Sequence, residues 1–338
     1  MPPISPVMRD LVAALEDIFR RATHKRAAHH LAKPVLEQAS RDPRFITEAL
    51  AKYLALPASF NRLNYPVVSL PVTVNPHFEL VVNCWIPLPT AETDVTTKAI
   101  HHHGDMLLST ATIFGPGYEH WLFTRPRTKA GLVHTMTAFD ASPHRLHEVA
   151  FVDDHVPHVP LYPKSLSLTL ALWSSQFDVS VMDRVKRIPV LQRNSRILRE
   201  AAVRIGLRQA LALKIPEYFD FFPVDGGFEA MKVRKEFDLG PNEDHLRSLF
   251  HVILETGNAP LATIIDRALA TGQVTNRPLV ESLNAELKAE RPIAGKLSAG
   301  HYDIPFANYR ARDIKRALAS QNLTPSAPGP ASTNPAAA

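Results

Sequence analysis

Cysteines and long apolar runs are what this sequence has least of. Cys84 is the single cysteine among 338 residues, which excludes an intrachain disulfide framework and is typical of a reducing compartment. No apolar run reaches the length of about 18 residues that suggests a membrane span. Asp10, Glu16 and Asp17 interrupt the apolar pattern near the N-terminus, which is not typical of a secretory signal. We therefore expect a cytoplasmic protein that has no membrane partner.

Sequence signatures of nucleic-acid and nucleotide binding are also missing. The chain contains no zinc-finger spacing, no Walker A loop and no GxGxxG motif. Its formal net charge of +5 is modest. The basic stretch 20–30 follows a helical pattern without interleaved aromatic residues, so a solvated helix face explains it better than a nucleic-acid surface does. We expect a small-molecule ligand and no nucleic-acid partner.

The period of the apolar residues changes along the chain. Helical spacing from Met8, and again after Pro43, predicts N-terminal helices. Alternation then takes over in several short segments broken by Pro, Gly, Asn and Asp, which predicts an antiparallel sandwich or barrel. Helical patterns return afterwards, around a hairpin predicted near Gly226. The expected fold class is α+β, with a central antiparallel β-barrel or sandwich flanked by helices.

Four segments are expected in chain order. They are an N-terminal helical segment, the β-barrel, a mainly helical C-terminal region and a disordered, low-complexity tail, covering residues 1–62, 63–180, 181–321 and 322–338. Helices in the C-terminal region are predicted near residues 197–211, 242–257 and 260–270, and from Pro278 onward. Asn242 is expected to cap one of these helices at its N-terminus.

Histidine is the residue type whose arrangement points to chemistry. His101, His102 and His103 stand together at the end of an alternating segment, and His155 and His158 precede a later one. Because side chains alternate between the faces of a strand, His101 and His103 should point one way and His102 the other. A third imidazole from a neighbouring strand, either His158 or His155, would complete a metal site. Surface or hydrogen-bonded histidines on a barrel are the alternative interpretation.

This pattern resembles the cupin superfamily over roughly residues 65–175. The first cupin motif places H-x-H near the end of a strand and a glycine further on. Here His101-x-His103 is followed by Gly115, inside the turn FGPG, at about the matching distance. The second motif contributes a lone histidine, for which His158 fits a short loop and His155 the longer loop of the cysteine dioxygenase type. The resemblance implies a cupin-like barrel and does not account for the helical flanks.

One departure from the motif bears on the metal that the resemblance implies. The position of the usual carboxylate ligand falls on Leu107 or Leu108, so a three-histidine set is implied, similar to thiol dioxygenases and some related oxygenases. Such members use Fe(II) with O2 as co-substrate, while Zn, Mn, Ni and Cu stay open as the metal here. Leu108 also occupies the place of the cysteine found in many thiol dioxygenases, so no crosslinked cysteine–tyrosine cofactor is expected.

Three further residues are candidates for catalytic roles. Tyr118 and Glu119 directly follow the turn at Gly115. Glu119 or the adjacent His120 is a candidate late ligand or acid/base group, with a polar pair on an edge strand as the alternative. Arg125 is a candidate for holding a substrate carboxylate, with a salt-bridged surface residue as the alternative.

These observations favour a mononuclear non-heme Fe(II)-dependent oxygenase. Its expected substrate is small and polar, such as an amino acid, a thiol or a carboxylate, and chelates the metal. The alternatives are a cupin-type metal-dependent isomerase, lyase or hydrolase, and a non-catalytic barrel that binds a small ligand. A homodimer is a further expectation, because barrels of this type often pair through an edge strand.

Overall fold

The computed structural model describes residues 6–63, 67–175, 219–232, 241–295, 297 and 309–321. The helix predicted near residues 197–211 and the tail predicted at 322–338 lie outside the described residues.

Helices precede and follow the strands. They are α1 (Pro6–Arg21), α2 (Lys25–Ser40), α3 (Arg44–Leu54), α4 (Asn242–Glu255), α5 (Ala262–Ala270), α6 (Arg277–Lys288) and α7 (Ala311–Ser320). The helices predicted at the N-terminus, near 242–257 and 260–270, and from Pro278 are confirmed. None of the helices in the described ranges combines the length and apolar character needed to cross a membrane.

Asn242 does not cap α4, so that prediction is wrong. It is the first residue of the helix, and no side-chain cap bond is formed there. Its side-chain amide instead donates to the backbone carbonyls of Phe60, at 3.1 Å, and Arg62, at 2.6 Å. These long-range bonds tie α4 to the segment that follows α3, and a helical pattern alone does not reveal them.

Thirteen strands fall within the described residues. They are β1 (Val68–Val74), β2 (Glu79–Trp85), β3 (Ile100–His101), β4 (Met106–Phe114), β5 (Glu119–Phe123), β6 (Arg127–Ala130), β7 (Val133–Thr135), β8 (Ala138–Pro143), β9 (Val149–Val152), β10 (His158–Pro160), β11 (Ser167–Ser175), β12 (Phe219–Val224) and β13 (Gly227–Lys232).

The strands form two antiparallel sheets. One has five strands in the order β1-β2-β11-β4-β9, and the other has eight in the order β6-β7-β13-β12-β3-β10-β5-β8. The predicted hairpin near Gly226 is present as β12 and β13, and β12 pairs with β3. The eight-stranded sheet therefore includes residues from beyond position 180. The predicted fold class, α+β with antiparallel sheets flanked by helices, is confirmed.

The two sheets pack face to face, and each is backed by helices. On β11, Leu168 and Leu170 are buried in a large core that includes residues of α1–α6. The other face of this sheet meets the eight-stranded sheet, where Val81 of β2 packs with Leu122 of β5. Helix α7 covers the outer face of the eight-stranded sheet, where Ile314 joins a cluster with Phe123. A site between the sheets is thus enclosed on both sides.

A buried histidine fastens α2 to the five-stranded sheet. The Nδ1 atom of His29 lies 2.8 Å from Ser109 Oγ on β4, and its Nε2 atom lies 2.9 Å from Ser174 Oγ on β11. Burial, with smaller contributions from the charges of His30 and Lys25, lowers the pKa of His29 to about 3. The ring is therefore neutral at physiological pH, with one nitrogen donating and the other accepting.

His29 should make the free energy of unfolding depend on pH. Between pH 3 and about 6.5 the unfolded chain binds a proton that the folded chain rejects, so stability rises with pH through this window. Replacing His29 with glutamine should reduce the slope between pH 4 and 6 by up to about 1.4 kcal/mol per pH unit. Urea unfolding at a series of pH values measures this slope. At pH 8 His29 is neutral in both states, so the same variant there reports the packing cost alone. An unchanged slope would contradict the prediction.

Candidate metal centre

Three histidines from two neighbouring strands converge between the sheets. His101 ends β3 and His158 begins β10, and these two residues are directly paired in the antiparallel register. His103 lies two residues beyond β3. Its Nε2 atom is 3.1 Å from Nε2 of His101 and 3.0 Å from Nε2 of His158. The three side chains form a group that could hold a metal ion.

Backbone hydrogen bonds set the tautomer of two of these rings. His101 Nδ1 lies 3.0 Å from the carbonyl oxygen of Ala99, and His158 Nδ1 lies 3.1 Å from that of Val156. A carbonyl only accepts, so both Nδ1 atoms carry the hydrogen. In a neutral ring the Nε2 atom then has a lone pair and no hydrogen. Bonds of this kind orient the ring of a metal-bound histidine.

The donor atoms lie close to the spacing that one cation requires. Nitrogens bound to a zinc-like ion at about 2.0–2.1 Å in tetrahedral geometry lie about 3.3–3.4 Å apart. The two distances at His103, 3.1 and 3.0 Å, are slightly shorter than this separation, and the ligand atoms of all three residues lie within 4.8 Å of one another. Without a cation, the lone pairs of His101 and His158 both face His103 Nε2, and one hydrogen there cannot lie along both contacts. A shared cation satisfies all three atoms.

The electrostatic surroundings keep these rings neutral, as metal ligands must be. Burial, with a smaller contribution from the positive charge of Lys98, lowers the pKa of His158 to about 3. Burial also lowers the pKa of His101 well below its ordinary value, again with a contribution from Lys98. Both rings are therefore available for binding a metal at neutral pH.

One side of the histidine group is aromatic and apolar. The ring of Trp173, on β11, meets the ring of His103 edge-on, with the centroids 4.6 Å apart. Trp173 in turn packs against a buried cluster that includes Leu108 and Val152. Leu108, which stands at the usual carboxylate position of the cupin motif, is thus part of an apolar wall.

His102 and His155 are not in the group. Their rings lie near each other, with centroids 5.5 Å apart, and His102 also neighbours Phe221. The two nitrogens of His155 face carboxylates, Asp154 at 3.1 Å and Asp105 at 3.9 Å. Of the two candidates for the third ligand, the structure brings His158 to the group and leaves His155 outside it.

The three catalytic candidates lie in different places. Tyr118 is buried between the sheets, with its ring 4.9 Å from that of Trp85. Glu119 is exposed and accepts a hydrogen bond from Trp121, whose ring packs on the outer face of the eight-stranded sheet. Adjacent residues of a strand face opposite ways, so Glu119 points away from His120. The structure therefore does not bring Glu119 to the histidine group.

Arg125 forms an ion pair at the surface. Its side chain is 65% exposed, and its Nη2 atom lies 3.2 Å from Oδ2 of Asp154. Arg26 of α2 binds the same carboxylate at 2.6 Å. The salt-bridged alternative is the one that the structure shows, since the guanidinium is already paired within the protein.

Sequence reasoning missed two residues beside the centre. His144 follows β8, and its Nε2 atom lies 3.0 Å from Nδ1 of His120. They meet because β5 pairs with β8, and the spacing of apolar residues along the sequence does not reveal this pairing. Lys98 lies shortly before β3. Burial is the main reason that the pKa values of His101 and His158 are low, and the charge of Lys98 is the second. A basic residue just before H-x-H was the available signal.

Comparison with known proteins gives likenesses to solved structures only. No protein-family profile matches the chain, and no curated protein matches it. An uncharacterised protein with a double-stranded β-helix domain from Klebsiella pneumoniae is 12% identical, with a TM-score of 0.21, over 33% of this chain and 79% of that chain. An RmlC-like cupin from Shewanella frigidimarina is 11% identical, with a TM-score of 0.20, over 33% of this chain and 78% of that chain.

A DMSP lyase, DddQ from Ruegeria pomeroyi, is 11% identical, with a TM-score of 0.21, over 33% of this chain and 48% of that chain. The match therefore spans about half of the lyase.

Proposed function

We propose that the chain is a mononuclear metal-dependent enzyme, with Fe(II) as the metal and O2 as co-substrate. The observation that carries the proposal is the convergence of three Nε2 atoms. In two of these rings a backbone carbonyl accepts a hydrogen bond from Nδ1–H, so Nε2 has a lone pair and no hydrogen. His101, His103 and His158 would hold the metal. An iron held this way would supply redox chemistry toward O2 and leave coordination positions open for a substrate.

The surroundings favour a small anionic substrate that chelates the metal. Neutral imidazoles leave the full charge of the cation in place, because no carboxylate of the group offsets it. Lys98 adds a positive charge near His101 and His158. The apolar wall around Trp173 and Leu108 restricts water on the other side, which would protect a reactive intermediate. A carboxylate of an amino acid or of an aromatic acid meets these requirements.

Oxygen uptake tests the proposal. The protein is prepared without oxygen, loaded with Fe(II), and given a panel of amino acids, thiols and aromatic carboxylates in an oxygen electrode cell. We expect one class to cause O2 consumption coupled to its own loss, and no consumption with the Zn(II)-loaded protein. Substrate loss with Zn(II) and without O2 would replace the oxygenase with a Lewis-acid enzyme. Ligand binding without turnover would indicate a binding protein.

A further inference from the structure

A second histidine pair lies against the candidate metal centre. His120 of β5 is buried, and its ring centroid is 5.2 Å from that of His158, with the two rings nearly perpendicular. Its Nδ1 atom is engaged by Nε2 of His144 at 3.0 Å. Nε2 of His120 is therefore the nitrogen left for a ligand of the metal centre or for the metal itself. The position of the ring hydrogen decides between these two roles.

A line of polar side chains leads to this pair across the five-stranded sheet. Trp85 Nε1 donates to Thr169 Oγ1 at 2.9 Å. The hydroxyl of Tyr118 has side-chain hydrogen bonds with both Thr169 and Thr110. Thr110 Oγ1 in turn lies 3.4 Å from Nδ1 of His144. The line thus runs from an indole on β2 to the histidine pair.

The indole gives this line a direction. An indole N–H only donates, whereas a hydroxyl accepts and donates. A hydroxyl oxygen could accept from two donors, but among the described residues Tyr118 offers the one side-chain acceptor for the hydrogen of Thr169. Thr169 therefore donates to Tyr118. Tyr118 in turn donates to Thr110, which donates to Nδ1 of His144. Neutral His144 must then carry its hydrogen on Nε2 and donate it to Nδ1 of His120. Neutral His120 must in turn carry its own hydrogen on Nε2.

His144 is neutral at physiological pH, because burial lowers its pKa to about 4, although the charge of Asp140 opposes this effect. Since Nε2–H of His144 donates to Nδ1 of His120 at 3.0 Å, that Nδ1 atom keeps a lone pair and carries no hydrogen. The direction of the line therefore determines which nitrogen of each ring holds the hydrogen.

We propose that His120 is a hydrogen-bond donor to the metal's ligand, through Nε2–H, and is not a fourth metal ligand. The group that it would bind is an oxygen of a carboxylate or similar oxyanion coordinated beside His158. Trp85 and the hydroxyls act on this ligand only through His120, so they are positioning residues. This proposal rests on the metal-dependent function proposed above and identifies how one end of the substrate is held.

The tautomer of His120 is measured directly by NMR. Histidine labelled with ¹⁵N is observed by two-bond ¹H–¹⁵N correlation in the metal-free and the Zn(II)-loaded protein, and the His120 signals are assigned by their loss in His120→Gln. We expect the Nε2–H form in both states. A hydrogen on Nδ1, or a change at Nε2 that indicates a bond to zinc, would overturn the proposal. In Trp85→Phe, where the fixed donor is lost, we expect a mixture of the two tautomers.

Anion binding tests the consequence for a ligand. Acetate is titrated into the Co(II)-loaded protein, and the visible spectrum of the cobalt reports its coordination. Replacing His120 with leucine should weaken acetate binding about tenfold or more, because a hydrogen bond to a charged group is lost. The cobalt content should not change. His120→Gln, which keeps a donor, should recover part of the affinity.

The outcomes separate the two proposals. If the wild type takes up no cobalt, both the metal centre and the role of His120 are wrong. If it takes up cobalt normally and His120→Leu binds acetate as tightly as the wild type, only the role of His120 is wrong. Loss of cobalt from His120→Leu, in a protein that stays folded, would identify His120 as a ligand and also overturn the proposal.

Discussion

Replacing His103 with alanine should lower the metal affinity by more than about 100-fold, since even residues behind the ligands contribute tenfold to hundredfold. His103 is the member of the group whose Nε2 atom lies about equally far from the other two, 3.1 and 3.0 Å. Its loss leaves two imidazoles, which hold a divalent ion poorly. Elemental analysis after dialysis against a weak chelator should show one metal per chain in the wild type and a trace in the variant.

Thermal or urea unfolding provides a second measure of the same change. At a metal concentration of about 1,000 times the dissociation constant, the wild type gains about 4 kcal/mol of stability by mass action. A hundredfold weaker site at that concentration gains about 1.4 kcal/mol. Without metal, the variant should be less stable than the wild type, because His101 and His158 lose a hydrogen-bond partner and Trp173 loses the ring packed against it. The quantity to compare is therefore the gain in stability on adding metal, measured for each protein separately.

His155→Ala is the matched control for His103→Ala. His155 belongs to the same cluster of histidines in the sequence, but its ring nitrogens face Asp154 and Asp105 instead of the group. This variant should keep the metal content and the metal-dependent stabilisation of the wild type. Full metal content in His103→Ala, or its loss in His155→Ala, would contradict the proposed ligand set.

Local patterns were sufficient to predict the outline of the site. The alternation of side chains on a strand separates His101 and His103 from His102, and the structure places the rings on these two sides. This prediction needs only the backbone geometry of a few consecutive residues. Strand β3 ends at His101, yet the chain stays close enough to extended for His103 to reach the same group.

Choosing between His155 and His158 needed information that the sequence does not hold locally. The decisive fact is that His158 pairs directly with His101 in the register of β10 and β3. His155 has a positive φ of 55° in the turn before the strand, which orients its ring elsewhere. Both features depend on tertiary packing, and so the sequence left the two residues as alternatives.

The polar line behind the site was also beyond sequence reasoning. Trp85, Thr169 and Thr110 lie on β2, β11 and β4, which are adjacent only in the folded sheet. Each is an ordinary strand residue on the face opposite the main core. His144 lies in the loop after β8, where side chains do not alternate regularly between two faces. Their common role becomes visible only when the two sheets face each other.

Gly115→Ala should destabilise the fold by about 2–5 kcal/mol, the sum of a left-handed backbone penalty and a steric clash. Gly115 begins the turn between β4 and β5 with a φ of +78°, a conformation that favours glycine. An added Cβ would fall on the backbone carbonyl oxygen of Leu166 and within 2.9 Å of Ser167 Oγ. This oxygen belongs to the backbone just before β11, so it cannot move aside as the end of a flexible side chain can. The motif glycine is thus explained by how closely two strands approach.

Gly131→Ala separates the two contributions to this loss. Gly131 also has a positive φ, +54°, but an added Cβ there would meet nothing within 4 Å. Its substitution should therefore cost only the backbone penalty of about 1–2 kcal/mol. Urea unfolding of both variants measures the difference. The two free energies of unfolding are compared when their slopes against urea concentration are the same. If Gly115→Ala costs no more than Gly131→Ala, the approach of Leu166 is not what requires a glycine, and the backbone conformation alone accounts for it.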